Sequence, residues 1–294
     1  MRELKAANIT QAVMELAKRA NFSLRKDVLL ALRKAYRREK NRRAKTILKA
    51  ILDNAAYAQK ENLAICQDTG MPVVFARIGQ DLKISGNLKA AINSGIEAGY
   101  KKYSLRNSVL SDPLLRGKSG FSPCIMHMDI VPGDKIKLTL LPKGFGCENK
   151  SQLKMFKPTA GIEEIKQFII EVVKNAGADA CPPYVIGVGI GGTADYACFL
   201  AKKALLKRIK PQREPQRGLS PTCPPTHQWR EGTVPGLERE LLFKINNLNI
   251  GPLGLGGKIT ALAVNIQTYP THIAGLPVAV NISCHALRSA SVIL

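Results

Sequence analysis

Rings and acidic groups are both scarce in this chain. Phe, Trp and Tyr make up 5% of its 294 residues, with one Trp, and Asp plus Glu number 22 against 44 Lys plus Arg. So few aromatics leave no stacking platform for bases, and no nucleic-acid motif accompanies the net charge of +22. Basicity alone does not make a nucleic-acid-binding protein. No apolar run reaches the roughly 20 residues that a membrane-spanning helix needs; Leu276–Ile282 falls far short. The N-terminus, Met1-Arg2-Glu3-Leu4-Lys5, lacks the apolar core and small-residue cleavage site of a secretory signal, so a cytoplasmic location is expected. Cysteines stand at 66, 124, 147, 181, 198, 223 and 284. Odd in number and widely scattered, they read as reduced thiols or metal ligands rather than a disulfide framework.

What is present suits an ordinary globule, with 45% hydrophobic and 22% charged residues. Basic residues crowd the stretch from Arg33 to Lys49, where Leu29, Leu32, Ala35, Ala44, Ile47, Leu48 and Ile51 recur at helical spacing. That pattern predicts amphipathic helices with a solvated basic face, whose positive field also attracts small dianions. Three helices are predicted over 7–60, then a polar loop at 62–70 and a strand over 72–78. A helix follows at 86–104, strands at Ile125–Ile130 and Lys135–Leu141, a helix at Ile162–Ala176, and a buried strand at Tyr184–Gly189. A helix at Thr193–Lys207, opened by Thr193 as N-cap, precedes a change of character. Between Pro211 and Gly236 prolines and glycines break every pattern, which predicts a surface excursion or a partly disordered segment. Helix resumes at Leu237–Leu248, and strands are predicted at Thr260–Ile266 and Leu276–Ile282. The expected fold is α/β or mixed α+β: helices around a central sheet, a helical N-terminal region, and one domain over 1–294 interrupted by the 211–236 excursion.

Two glycine motifs invite a nucleotide reading and fail it. Gly187-Val188-Gly189-Ile190-Gly191-Gly192 matches G-x-G-x-x-G between a strand and a helix. The dinucleotide fingerprint also needs an acid at the end of a second strand, and Lys207-Arg208-Ile209-Lys210-Pro211 supplies neither. The N–H groups of such a turn are still expected to meet an anion or a cluster. Gly254-Leu255-Gly256-Gly257-Lys258-Ile259-Thr260 lacks both the first P-loop glycine, where Pro252 stands, and the Ser or Thr after the lysine.

Cys66, Cys181 and Cys284 each lie at a predicted loop–strand junction, where a thiolate can reach a cleft without disturbing a core. Soft thiolates in a reduced compartment suit iron–sulfur clusters or zinc, and separate buried thiols are the plainer alternative. Ile65-Cys66-Gln67-Asp68-Thr69-Gly70, Gly144-Phe145-Gly146-Cys147-Glu148-Asn149-Lys150-Ser151, Cys181-Pro182-Pro183 with Gly187–Thr193, Gly251–Lys258, and Tyr269-Pro270-Thr271-His272-Ile273-Ala274 followed by Cys284-His285 stand in order along the chain. Together these motifs resemble the class I (iron–sulfur) fumarase family. The closer likeness is to its α subunit, whose form is shared with L(+)-tartrate dehydratase, and it runs from about residue 10 to the end apart from 211–236.

The resemblance implies a [4Fe–4S] cluster on Cys66, Cys181 and Cys284, with one iron lacking a protein ligand. It implies catalytic roles for Asp68 and His272, and substrate contacts from Gln67, Arg106 and the Gly146 N–H. The plainer readings are a surface ion pair for Arg106 and a satisfied core histidine for His272. The implied activity is reversible hydration of fumarate to malate, a C4 dicarboxylate reaction shared with a β subunit in an α₂β₂ assembly with homodimerising α subunits. L(+)-tartrate dehydratase is the alternative within the class. An electron-transfer or sensor protein using Cys147 as a fourth ligand is the alternative outside it. Two departures from the family pattern stand out: Cys147 occupies a position where a small residue without a thiol is expected, and Gly120–Cys124 is shorter and less polar than its counterpart.

Overall fold

The computed structural model describes residues 2–209 and 236–294. The predicted excursion, with Cys223 and Trp229, lies outside the described residues except for Gly236. In chain order the elements are β1 (Arg2–Lys5), α1 (Ala6–Phe22), α2 (Lys26–Arg38), α3 (Arg42–Glu61), β2 (Met71–Gly79), β3 (Leu82–Ser85), α4 (Leu88–Lys102), β4 (Val109–Asp112), β5 (Arg116–Gly120), β6 (Ile125–Val131) and β7 (Ile136–Lys143). Then follow α5 (Phe145–Glu148), β8 (Gln152–Phe156), α6 (Ile162–Ala176), β9 (Tyr184–Ile190), α7 (Ala194–Ala204), α8 (Leu237–Asn246), a 3-10 turn at Pro252–Gly254, β10 (Ala261–Thr268), β11 (Leu276–Ser283) and β12 (Ala290–Ile293). The fold is the mixed α/β arrangement that the periodicities predict. Its chain divides into two compact units, one formed by Met1–Arg25, Asp53–Phe145 and Arg288–Leu294, the other by Lys26–Leu52 and Gly146–Leu287.

In the first unit four strands run in the order β12-β7-β2-β6, with β2 parallel to β6 and antiparallel to β7. Ile136, Leu138 and Leu140 alternate along β7 and are buried in one cluster with Ile9, Val13 and Leu16 of α1 and Ile92 and Ile96 of α4. Helices α1 and α4 approach closely because Gly95 and Gly99 lie one turn apart on one face of α4. A Cβ at 95 would come 2.6 Å from the Thr10 carbonyl oxygen, and one at 99 would come 2.8 Å from Ala17 Cβ. At the start of α4 the Asn87 side chain caps the helix by accepting from Ala90 N–H.

In the second unit the order is β10-β9-β11-β8, with β9 parallel to β10 and antiparallel to β11. Every residue of β9 is buried, as its unbroken apolar run requires of a central strand. The G-x-G of the misleading motif is explained here. A Cβ on Gly187 would lie 2.1 Å from the Ala201 carbonyl oxygen, and one on Gly189 would lie 2.1 Å from that of Ala197. Both glycines let α7 lie directly on β9. The basic stretch forms α2 and the start of α3, with Leu32, Ala35, Ala44 and Leu48 buried and Arg33, Arg37, Arg42 and Arg43 exposed. Between the two helices Glu39, 3% exposed, accepts from the N–H groups of Lys40, Asn41 and Lys258.

Residues 2–5, 82–85, 109–112, 116–120, 152–156 and 290–293 form strands that the sequence patterns do not announce, because they are short and most carry polar or glycine residues. The glycine packing yields a direct test. Gly189→Ala should lower unfolding stability by about 2–3 kcal/mol, the cost of overpacking a tight contact. Gly120→Ala, whose Cβ would meet nothing closer than 3.9 Å, should change stability by less than about 0.5 kcal/mol. Urea denaturation of both variants checks this; equal effects would remove the packing explanation.

Candidate functional site

In the first unit the Cys66 loop begins where α3 ends. Ile65 is buried and anchored at both peptide groups: its N–H donates to the Asn21 carbonyl at 3.0 Å and its carbonyl accepts from Asn54 Nδ2 at 2.9 Å. From there Cys66 and Asp68 are half-buried, Gln67 is exposed, and Thr69 and Gly70 return to the interior. The Asp68 carboxylate accepts from Gly70 N–H at 3.0 Å and from Phe145 N–H at 2.8 Å, which fixes its direction. The Asp68 carbonyl accepts from Nη2 of Arg288, which is 4% exposed and also donates through Nε to Asn21 Oδ1. Tyr100 donates its phenolic O–H to the Thr69 carbonyl at 3.1 Å, and burial pushes its pKa well above the usual range, so it remains a donor. Thr69 Oγ1 accepts from Arg106 N–H at 2.9 Å, which ties Arg106 to the same loop. Gly70 has φ +79°, and a Cβ there would lie 2.8 Å from the Lys143 nitrogen, so only glycine fits. Arg106 is exposed, and among the described residues no carboxylate pairs with its guanidinium. Among the described residues, then, the ion-pair reading of Arg106 has no partner to support it.

In the second unit the sheet brings Cys181 and Cys284 to one end. Ser283 at the end of β11 is in register with Val185 at the start of β9, so the chain reaches Cys284 beside the segment that carries Cys181. His285 closes the join: its backbone N–H and its Nδ1 donate to the Cys181 carbonyl at 3.3 and 3.1 Å. Cys181 itself is exposed and has φ +55°, an unusual conformation for a residue with a Cβ. Its neighbour Pro182 accepts from Leu253 N–H at 2.9 Å, so the glycine-rich 251–257 loop braces this one. Gly254 (φ +76°) must be glycine because a Cβ would lie 2.2 Å from Ala178 Cβ. Beneath the loop Cys147 is buried and donates from Sγ to the Ala180 carbonyl at 3.4 Å. Gly146, one residue earlier, is exposed. Asn281 Nδ2 donates to Glu148 Oε2 and Ser151 Oγ, which ties the Gly146–Ser151 motif to β11.

His272 lies on the exposed loop between β10 and β11, not in a core. Ala274 N–H donates to its Nδ1 at 3.2 Å, which leaves the neutral ring's proton on Nε2. Thr271 Oγ1 donates to the Gly192 carbonyl at 2.9 Å, which ties this loop to the glycine turn before α7. That turn departs from expectation. The N–H groups of Gly191 and Gly192 donate to the carbonyls of Pro277 and Pro270 and are not available to an anion. Thr193 does occupy the N-cap position, but its hydroxyl makes no cap bond and instead helps hold the Asp195 carboxylate below the usual range.

Six cysteines fall within the described residues, and none is in a disulfide. Among the described residues no group of three His, Cys, Asp or Glu side chains is assembled for a metal ion. The fit to a cluster therefore rests on donor chemistry: soft thiols on braced loops at Cys66, Cys181 and Cys284, with Cys124 and Cys147 buried elsewhere. Burial pushes the Cys124 thiol up to about 12, so it stays protonated and inert at neutral pH. Of the supporting residues Asn21, Tyr100, Arg288 and His285, the first three escape sequence reasoning. Only His285, adjacent to a cysteine, carried any signal.

The family described as fumarate hydratase (fumerase) matches the chain over residues 10–293. A protein of Methanocaldococcus jannaschii, provisionally named L(+)-tartrate dehydratase subunit alpha, is 42% identical over 290 residues, covering 96% of each chain. The L(+)-tartrate dehydratase subunit alpha of an Escherichia coli strain is 28% identical over 97% of this chain and 92% of its own. That of Shigella sonnei is 27% identical over 99% and 94%. With a match that spans nearly its whole length and the family's motifs on loops braced as described, the chain belongs to the class I fumarate hydratase family as an α-subunit-type hydro-lyase chain.

Proposed function

We propose that this chain carries a [4Fe–4S] cluster on Cys66, Cys181 and Cys284 and, with a β subunit, catalyses the reversible hydration of fumarate to malate. The observation that carries the reading is the junction of the Cys181 and Cys284 loops, where His285 bonds the carbonyl of Cys181, an exposed residue in a left-handed conformation. Strain of that kind persists only where the surroundings enforce it, and it concentrates at functional sites. When bound, the cluster would supply an iron without a protein ligand, a Lewis acid for the substrate's hydroxyl and carboxylate oxygens.

The chain's own residues supply binding and proton handling. Arg106, its guanidinium exposed and its backbone pinned to Thr69, is placed to grip a carboxylate with its planar fork. Gln67 offers an exposed amide on the same loop, and the Gly146 N–H is a further donor for a substrate oxygen. His272 presents an Nε2–H donor, suited to hold or move a proton at the substrate. Asp68 accepts two backbone N–H bonds, and its remaining lone pairs can hold a partner's acidic proton in place. Addition of water builds negative charge on the substrate, which cationic and N–H donors stabilise in a preorganised site. No helix among the described residues is long and apolar enough to cross a membrane. We place the assembly in the cytoplasm, as an α₂β₂ enzyme whose β subunit supplies the remaining carboxylate-binding and proton-transfer groups.

A second reading has its own support: the relatives described above are named for L(+)-tartrate dehydratase. The two substrates differ by one hydroxyl. The four-cysteine electron-transfer reading is disfavoured, because Cys147 is buried and its thiol is engaged with the Ala180 carbonyl.

Serine at Cys66, Cys181 or Cys284 is expected to abolish the visible absorbance of anaerobically reconstituted protein, while Cys147→Ser and Cys124→Ser retain it. Loss of the cluster in Cys147→Ser would overturn the ligand set. Titration of cluster-loaded α with β, assayed with malate, fumarate and both tartrates, should show turnover only once β is present. Activity on malate and fumarate supports the primary reading, and activity confined to L(+)-tartrate replaces it with the second. Arg106→Lys should raise KM for the dicarboxylate about tenfold or more, the loss of one bidentate contact worth about 1.4 kcal/mol. An unchanged KM would remove Arg106 from the site.

A further inference from the structure

Strand β6 is the outer edge of the first unit's sheet, paired among the described residues only with β2. Natural edge strands are usually blunted by lysine, proline or a bulge, because their unpaired N–H and C=O groups template other strands. This one is not. In a chain with 44 Lys and Arg, neither falls between Lys118 and Lys135. The strand Ile125-Met126-His127-Met128-Asp129-Ile130-Val131 pairs with β2 without interruption over its whole length. Ile125, Met128 and Ile130 are 44%, 48% and 74% exposed. Such an apolar, nearly uncharged edge calls for a cover.

The sequence of the edge says what covers it. Paired antiparallel with itself about a two-fold axis at Met128, the strand sets His127 opposite Asp129, Met126 opposite Ile130, Ile125 opposite Val131, and Met128 opposite Met128. Every apolar residue then meets an apolar residue, and the two titratable residues meet each other across the strands. Moving the axis one residue either way sets His127 against itself or Asp129 against itself, so charge selects one register. Self-complementarity of this kind is what an isologous contact requires. We infer that β6 pairs with β6 of a second copy of this chain, joining the two sheets into one across the dimer axis. The contact is independent of the cluster and of the substrate. One strand pair buries less than the roughly 1,600 Å² of a standard interface, so the isolated chain should dimerise in a concentration-dependent way.

Sedimentation velocity of the full chain, alone and with β, provides the test. Wild type should sediment as a dimer at concentrations where Met128→Lys, which opposes two ammonium groups on the axis, sediments as a monomer with unchanged circular dichroism. His127→Asp should weaken dimerisation at least tenfold, and the swap His127→Asp with Asp129→His should restore it. Met128→Cys keeps the test independent of destabilisation. Directly opposed residues have Cα atoms about 4.5–5.5 Å apart, within disulfide range. Mild oxidation should therefore give a 128–128 linked peptide by mass spectrometry. Ile293→Cys, on the far edge strand β12 and 61% exposed, should not crosslink. A wild type that stays monomeric, a Met128→Cys that crosslinks no faster than Ile293→Cys, or a Met128→Lys that sheds β while α stays paired would overturn the inference.

Discussion

A loop that turns a thiol toward solvent gives up the ladder hydrogen bonds of a strand, and its buried peptide groups must then find other partners. Around Cys66 the partners come from distant parts of the first unit: the Asn21 carbonyl of α1, the side chain of Asn54 from α3, that of Tyr100 from α4, and that of Arg288 from the segment before β12. Arg288 carries the heaviest share, since an arginine that is 4% exposed must find partners for its charge where it lies. Around Cys181 the same requirement is met by His285 and by the 251–257 loop. The side chains that make the candidate site chemical are thus held by others with no chemistry of their own to perform.

This division explains what could be read from the sequence. The helices were legible because burial on one face imposes a period, as in Ile162–Ala176, and the central strand Tyr184–Ile190 because burial on both faces leaves an unbroken apolar run. The cysteine loops were legible through family motifs rather than through spacing. Arg288 and Asn21 were not, because a buried polar residue is defined by partners remote in sequence, 220 residues away for Arg288 and Asp68. The short strands at Val109–Asp112 and Gln152–Phe156 were missed because an exposed strand shows little alternation.

The glycine motifs show the same principle in reverse. Gly187 and Gly189 look like a nucleotide fingerprint, yet their missing Cβ atoms make room for α7, and the turn that follows spends its N–H groups on proline carbonyls. Sequence reports that a side chain must be absent. Only the structure reports whether a ligand or another backbone takes its place. The basic surface divides likewise, into lysines and arginines that solvate α2 and α3 and the exposed Arg106 at the candidate site.

The central claim is that three thiols hold a cluster with one iron left open to substrate. Iron and acid-labile sulfide analysis with Mössbauer spectroscopy of the anaerobically prepared chain, in complex with β, tests it most directly. The account predicts about four irons and about four sulfides per chain, with one iron site whose spectrum shifts when malate is added. Stoichiometric zinc, or four irons that are all indifferent to malate, would contradict it.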